Sequence, residues 1–137
     1  MSALAFLNYS DKDCNIIIDP EQMKRVINNL ISNAVKYNDK EKGQITMRIE
    51  EREDTLLIAI EDNGKGIAPK DLPHVFDRTY RGDASRNSTQ GGSGLGLSIA
   101  KKIILEHGGT IWATSKEKVG TTISFEIRKV KGEQDSE

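Results

Sequence analysis

GGSGLGLSIAKK, residues 91–102, crowds Gly91, Gly92, Gly94 and Gly96 together and then runs straight into a helical pattern. Glycine has the most backbone entropy to lose and weakens a helix where it stands. A helix N-terminus, however, carries unpaired N–H groups and a partial positive charge. Glycines there let an anion such as a phosphate chain touch the backbone, where side chains would hold it off. A flexible connector would use glycines as well, but it would not have them run into the first turn of a helix. Leu95 to His107 reads as that helix, closed by Gly108-Gly109.

Working outward, helices and strands alternate without repeats. Ile16–Ile18 reads as a short strand. Asp19 and Pro20 open a helix running to about Tyr37, with Met23, Val26, Ile27, Leu30, Ile31, Ala34 and Val35 at three-and-four spacing. Ile45, Met47 and Ile49 alternate with polar residues, and Leu56 to Asp62 forms a more buried strand. A short helix is expected around Pro69–Phe76. Residues 77–93 show no periodicity. Ile111–Ser115 and Thr121–Arg128 read as a closing hairpin, and residues 130–137 as a disordered polar tail. This order predicts an α+β fold, a two-layer sandwich with about three helices on one face of a mixed, mostly antiparallel sheet.

Composition narrows the function. The chain has 137 residues with a formal net charge of −1, 36% hydrophobic and 30% charged. One domain with one core fits that length. No basic excess points to nucleic acid, and no apolar run approaches membrane-span length. One cysteine, Cys14, and two histidines, His74 and His107, leave neither an internal disulfide nor a zinc site in view. The common nucleotide loops are missing as well: there is no P-loop, and Gly64-Lys65-Gly66 fails the dinucleotide fingerprint because position 69 is Pro.

Two further stretches carry chemistry. In NNLISNAVKYN, Asn29, Asn33 and Lys36 recur at four and three residues and form a polar stripe beside the apolar face. Asparagine is a mediocre helix former, so these positions cost stability. A carboxamide can ligate a hard cation or donate to a phosphate, although any single Asn also fits a hydrated face. In IAIEDNGKGI, Asp62 continues the row of Leu56, Ile58 and Ile60 under a two-residue period. A carboxylate in that row needs donors. An adenine amine is one such donor, and local turn amides are the equal alternative.

Taken together, these stretches resemble the catalytic, ATP-binding domain of bacterial sensor histidine kinases, of the gyrase, heat-shock chaperone, histidine kinase and mismatch-repair ATPase superfamily. NNLISNAVKY matches the N box, DNGKGI the first glycine box, PHVFDRTYR the F box, GGSGLGLSIAKKIILEHGGTI the second glycine box and its helix, and VGTTISFEI the closing segment. The resemblance runs from about Ile16 to Ile127, and its motifs appear in the family's order. It implies a Bergerat-type sandwich over 1–129 with an ATP lid at about 77–93.

By this resemblance Asn33 would coordinate Mg²⁺, Asn29 and Lys36 would lie near the phosphates, and Tyr37 near the nucleotide edge. Asp62 would accept from the adenine amine, with Gly64, Gly66 and Ile67 shaping that pocket. Gly92, Gly94, Leu95 and Gly96 would offer backbone amides, and Phe76, Leu97 and Thr121 would complete the nucleotide contacts. Arg81 and Arg86 are candidates for the transferred phosphoryl group. Thr79 stands where the family's F box usually has a second Phe, which puts more of the lid anchoring on Phe76.

The resemblance also implies transfer of the γ-phosphoryl to a histidine on a separate dimerisation and phosphoacceptor domain, then to a response regulator. His74 and His107 lack that acceptor motif and read as structural. The expected setting is cytoplasmic, in a longer membrane-anchored protein whose membrane contact lies outside this segment. An anti-sigma-type serine kinase on the same fold is the main rival. The second glycine box and the F box argue against it. Intact Asn33, Asp62 and glycines argue against a non-catalytic binding module.

Overall fold

The computed structural model describes residues 5–8, 15–77 and 96–130. Two short strands, β1 (Ala5–Asn8) and β2 (Asn15–Ile18), pair antiparallel ahead of the main body. β1 had no counterpart in the sequence reading: AFLN lacks the run of β-branched residues that marks β2 as a strand.

Helix α1 (Pro20–Lys36) begins where expected. The Asp19 carboxylate accepts from the backbone N–H of Glu21 at 3.0 Å and of Gln22 at 3.3 Å, and Pro20 follows it. The cap thus satisfies donors that the first turn cannot pair. α1 buries Met23, Val26, Leu30 and Ala34. Strands β3 (Ile45–Glu51) and β4 (Thr55–Asp62) form the first hairpin.

The short helix expected over Pro69–Phe76 is realised as a single 3-10 turn, Leu72–His74, with Pro73 inside it. Helix α2 (Gly96–Glu106) buries Leu97, Ala100, Ile103 and Ile104. It ends with Gly108 at φ 75°, Gly108 N–H donating to Leu105 O at 3.0 Å and Gly109 N–H to Ile104 O at 2.9 Å. This is the paired closure that a left-handed glycine permits.

Strands β5 (Thr110–Lys116) and β6 (Gly120–Arg128) complete a four-stranded sheet of order β3-β4-β6-β5. Every described pairing is antiparallel. α1 and α2 pack on each other and cover one face, so the expected α+β sandwich has two α-helices in its described helical layer. Between the layers lie Leu56, Ile58, Ile60, Ile123, Phe125 and Ile127, all on one face under the two-residue period.

The other face of β4 is buried too, Leu57 being only 4% exposed. Glu50 and Glu126 are its register partners on the two neighbouring strands. Arg52 pairs with both, at 3.6 and 3.1 Å, and so spans Leu57. These ion pairs are half-exposed and contribute little to stability.

Candidate active site

A cavity of about 350 Å³ opens between the end of α1, the loop after β4, the start of α2 and the β5–β6 hairpin. α1 contributes Asn33 and leads into Tyr37. The row of β4 ends at the cavity in Asp62, and Ile67, Val75 and Leu97 supply apolar walls. Thr121, the register partner of Asp62 on β6, lies beside it and is 7% exposed.

Burial pushes the Asp62 carboxyl above the usual carboxylate range. The backbone N–H groups of Gly64 and Thr121 pull it down, and the neighbouring Glu61 charge adds to the rise. Gly64 N–H donates to Asp62 Oδ1 at 2.8 Å. Local turn amides and a ligand were equal readings of Asp62, and the structure holds both features: one oxygen serves the turn, and the residue lines the cavity. A desolvated carboxylate gains from any further donor placed against it.

Gly66 takes φ 77°, and a Cβ there would run into the carbonyl oxygen of Lys116. The loop after β4 therefore lies backbone to backbone on the β5–β6 turn. Ile67 N–H donates to Ser115 Oγ at 2.7 Å, and Lys118 N–H to Lys65 O at 2.6 Å. Lys118 is itself left-handed at φ 67°, and its carbonyl accepts from Lys40 Nζ at 2.9 Å.

The structure gathers Asn33, Tyr37, Asp62, Gly66, Ile67, Leu97 and Thr121 around the cavity and leaves other expected residues off its wall. Asn29 donates from Nδ2 to Gly96 O at 3.2 Å, tying α1 to the first residue of α2. Lys36 Nζ lies 5.7 Å and Lys65 Nζ 5.2 Å from the centre of the Tyr37 ring. Phe76 packs against the core with Lys101 Nζ 5.8 Å from its ring centre. Gly92, Gly94, Leu95, Arg81, Arg86 and Thr79, most of the 77–93 lid and residues 131–137 of the tail lie outside the described residues.

Asp39, Lys65, Ala68, Asp71, Val75, Glu117 and Lys118 also line the cavity and were not singled out from sequence. The run KEKVG ahead of Thr121 was the available signal for a turn at 117–119. Nothing in the sequence says which loop that turn meets.

Neither histidine lies on the cavity wall. The Asp19 backbone N–H can only donate, so His107 Nε2 accepts from it at 3.1 Å, and Nδ1–H donates to Ile103 O at 2.8 Å. The ring thereby clips the start of α1 to the end of α2. His74 is exposed, with Nδ1 3.0 Å from Asp77 Oδ2.

Comparison with known proteins gives one consistent picture. Residues 18–131 match the family described as "Histidine kinase-, DNA gyrase B-, and HSP90-like ATPase". The chain is 47% identical over 122 residues to the sensor histidine kinase WalK of Bacillus subtilis, covering 88% of this chain and 20% of that protein. It is 43% identical over 111 residues to the sensor protein SrrB of Staphylococcus aureus, covering 81% and 19%. The chain thus spans about a fifth of the length of these curated relatives.

Among solved structures, a mycobacterial sensor histidine kinase, MprB, superposes with TM-score 0.73 at 27% identity, covering 85% of this chain and 79% of that one. The catalytic domain of histidine kinase ThkA gives 0.71 at 31%, covering 88% and 74%.

Proposed function

Because the chain belongs to the histidine kinase-, DNA gyrase B- and HSP90-like ATPase family, we propose that it binds Mg–ATP in this cavity and donates the γ-phosphoryl group to a histidine on a separate domain. That domain would be the dimerisation and phosphoacceptor domain of the same kinase, and a response regulator would take the group on from there. The observation that carries the reading is the convergence of Asn33 and Asp62, from two different elements, on one apolar-walled cavity. A flat purine suits walls made by Ile67, Val75 and Leu97, and the Asp62 carboxylate suits an exocyclic amine.

Among the described residues no group of three or more His, Cys, Asp or Glu could cage a metal ion. Mg²⁺ is commonly held by one or two protein groups together with substrate phosphates, so a single carboxamide oxygen, that of Asn33, fits it. Bound there, the cation would neutralise phosphate charge during transfer.

In this reading Asn29, Lys36 and the backbone of Gly92, Gly94, Leu95 and Gly96 serve the phosphates. Tyr37, Gly64, Gly66, Ile67, Leu97 and Thr121 serve the nucleoside. Phe76 anchors the lid, and Arg81 and Arg86 approach the transferred group from it. Phosphoryl transfer needs positioning and charge neutralisation more than covalent help, so the acceptor histidine can come from another domain. No helix among the described residues is long and apolar enough to cross a membrane. Cytoplasmic placement within a membrane-anchored kinase remains part of this proposal.

Calorimetric titration tests binding, with a Kd in the micromolar to millimolar range expected, or about −8 to −4 kcal/mol. γ-Labelled ATP tests transfer. Acid-labile label on an added phosphoacceptor fragment, and none on this chain alone, is the expected result. Label on serine of an added protein would favour the serine-kinase reading, and acid-labile label on His74 or His107 would overturn the need for an external acceptor.

A further inference from the structure

Ser115, Thr121 and Asp62 stand in one row across the sheet. Ser115 on β5 is the register partner of Thr121 on β6, and Thr121 is the register partner of Asp62 on β4. Directly opposed residues share a face and lie within reach of one another.

Ser115 Oγ has three neighbours at bonding distance. The Ile67 backbone N–H lies at 2.7 Å, the Gly120 carbonyl oxygen at 2.9 Å and Thr121 Oγ1 at 2.9 Å. An amide N–H can only donate and a carbonyl oxygen can only accept. The single serine hydrogen is therefore needed by Gly120 O. All three bonds are made in one arrangement alone, with the Thr121 hydroxyl hydrogen donated to Ser115. Thr121, which lines the cavity beside Asp62, then has no hydroxyl hydrogen left to offer there.

We propose that Ser115 is a positioning residue for base selection: it commits the Thr121 hydroxyl hydrogen away from the cavity and so makes the Asp62–Thr121 end a pure acceptor. Such an end pairs with an exocyclic amine and rejects a carbonyl oxygen at the same position, because acceptors facing each other leave buried groups unpaired. The same bond set holds the loop after β4 to the β5–β6 turn through Ile67 N–H, so base selection and loop placement share one hydroxyl. The inference rests on the reading of this cavity as the adenine site.

The test is the ratio of ATP to ITP affinity, measured by calorimetry on the intact chain. ITP carries a 6-oxo group where ATP carries the amine. Wild type is expected to prefer ATP. Ser115→Ala frees the Thr121 hydroxyl to rotate and donate, and the preference should fall by roughly five- to tenfold. Ser115→Thr retains a hydroxyl and should keep the wild-type ratio. Thr121→Val removes the acceptor itself, while Ser115 keeps its bonds to Ile67 N–H and Gly120 O. It should also lower the ratio, and adding Ser115→Ala to it should change the ratio no further.

A wild-type chain that binds no ATP overturns the nucleotide reading itself. A wild-type chain that binds ATP, with Ser115→Ala weakening ATP and ITP by the same factor or Thr121→Val leaving the ratio intact, overturns this inference alone.

Discussion

Two glycines share nearly the same backbone conformation but not the same surroundings, and alanine at each separates strain from contact. Gly108 has φ 75° and Gly66 φ 77°. A Cβ on Gly108 meets nothing within 4 Å. Its cost is the left-handed strain of an L-residue, about 1–2 kcal/mol, offset by about 0.4–1 kcal/mol because alanine restricts the unfolded chain. Gly108→Ala should therefore cost about 1 kcal/mol.

At Gly66 the same strain applies, and the added Cβ overlaps the Lys116 carbonyl oxygen and comes 2.9 Å from Glu117 Cα. Both are backbone atoms, so the turn must move, and overpacking of this kind costs about 1–3 kcal/mol more. Gly66→Ala should therefore cost about 3 kcal/mol. Moving the turn also shifts Lys118 and Glu117 on the cavity wall, so ATP affinity should fall with stability, whereas Gly108→Ala should leave affinity unchanged. Urea denaturation of both variants gives the difference directly as a shift in midpoint at constant slope. Equal losses for the two variants, within about 0.5 kcal/mol, would refute the close backbone packing of loop on turn.

Asp62→Asn should stabilise the ligand-free domain at neutral pH. Burial raises the native carboxyl above its unfolded value, so the native state holds the extra proton between those two values, and stability falls as pH rises through that window. Urea melts from pH 4 to 8 should show the asparagine advantage growing with pH, and an advantage that shrank with pH would contradict the sign. The same variant should bind ATP about tenfold more weakly, since a neutral amide is a poorer acceptor. Asn33→Ala should weaken ATP binding in Mg²⁺ and leave metal-free binding unchanged, with stability held or raised by up to about 0.7 kcal/mol from helix propensity. An equal loss with and without metal would remove Asn33 from its assigned role.

Much of this domain was legible in its residues because the deciding signals are local. The three-and-four spacing from Met23 to Ala34 specifies a buried helix face wherever the helix packs, and the row from Leu56 to Asp62 specifies a buried strand ending in a carboxylate. Asp19-Pro20 and Gly108-Gly109 mark helix ends through bonds within a few residues. Asn33 and Asp62 were readable as site candidates from their places on α1 and β4, whereas Leu97 entered only through the family resemblance.

Contacts between distant segments carry no such periodic trace. Ser115 looked like the last residue of a strand, and only pairing with β6 puts its hydroxyl against Thr121, Gly120 and Ile67. Lys118 and Lys65 meet through backbone groups that every residue type carries, so nothing in their side chains announces the contact. His107 illustrates the same limit. It reads only as a residue at a helix end, but one of its two ring bonds goes to the N–H of Asp19, 88 positions away in the chain. Propensity and periodicity act within a few residues, whereas a hydrogen bond across the sandwich exists only once the layers have closed.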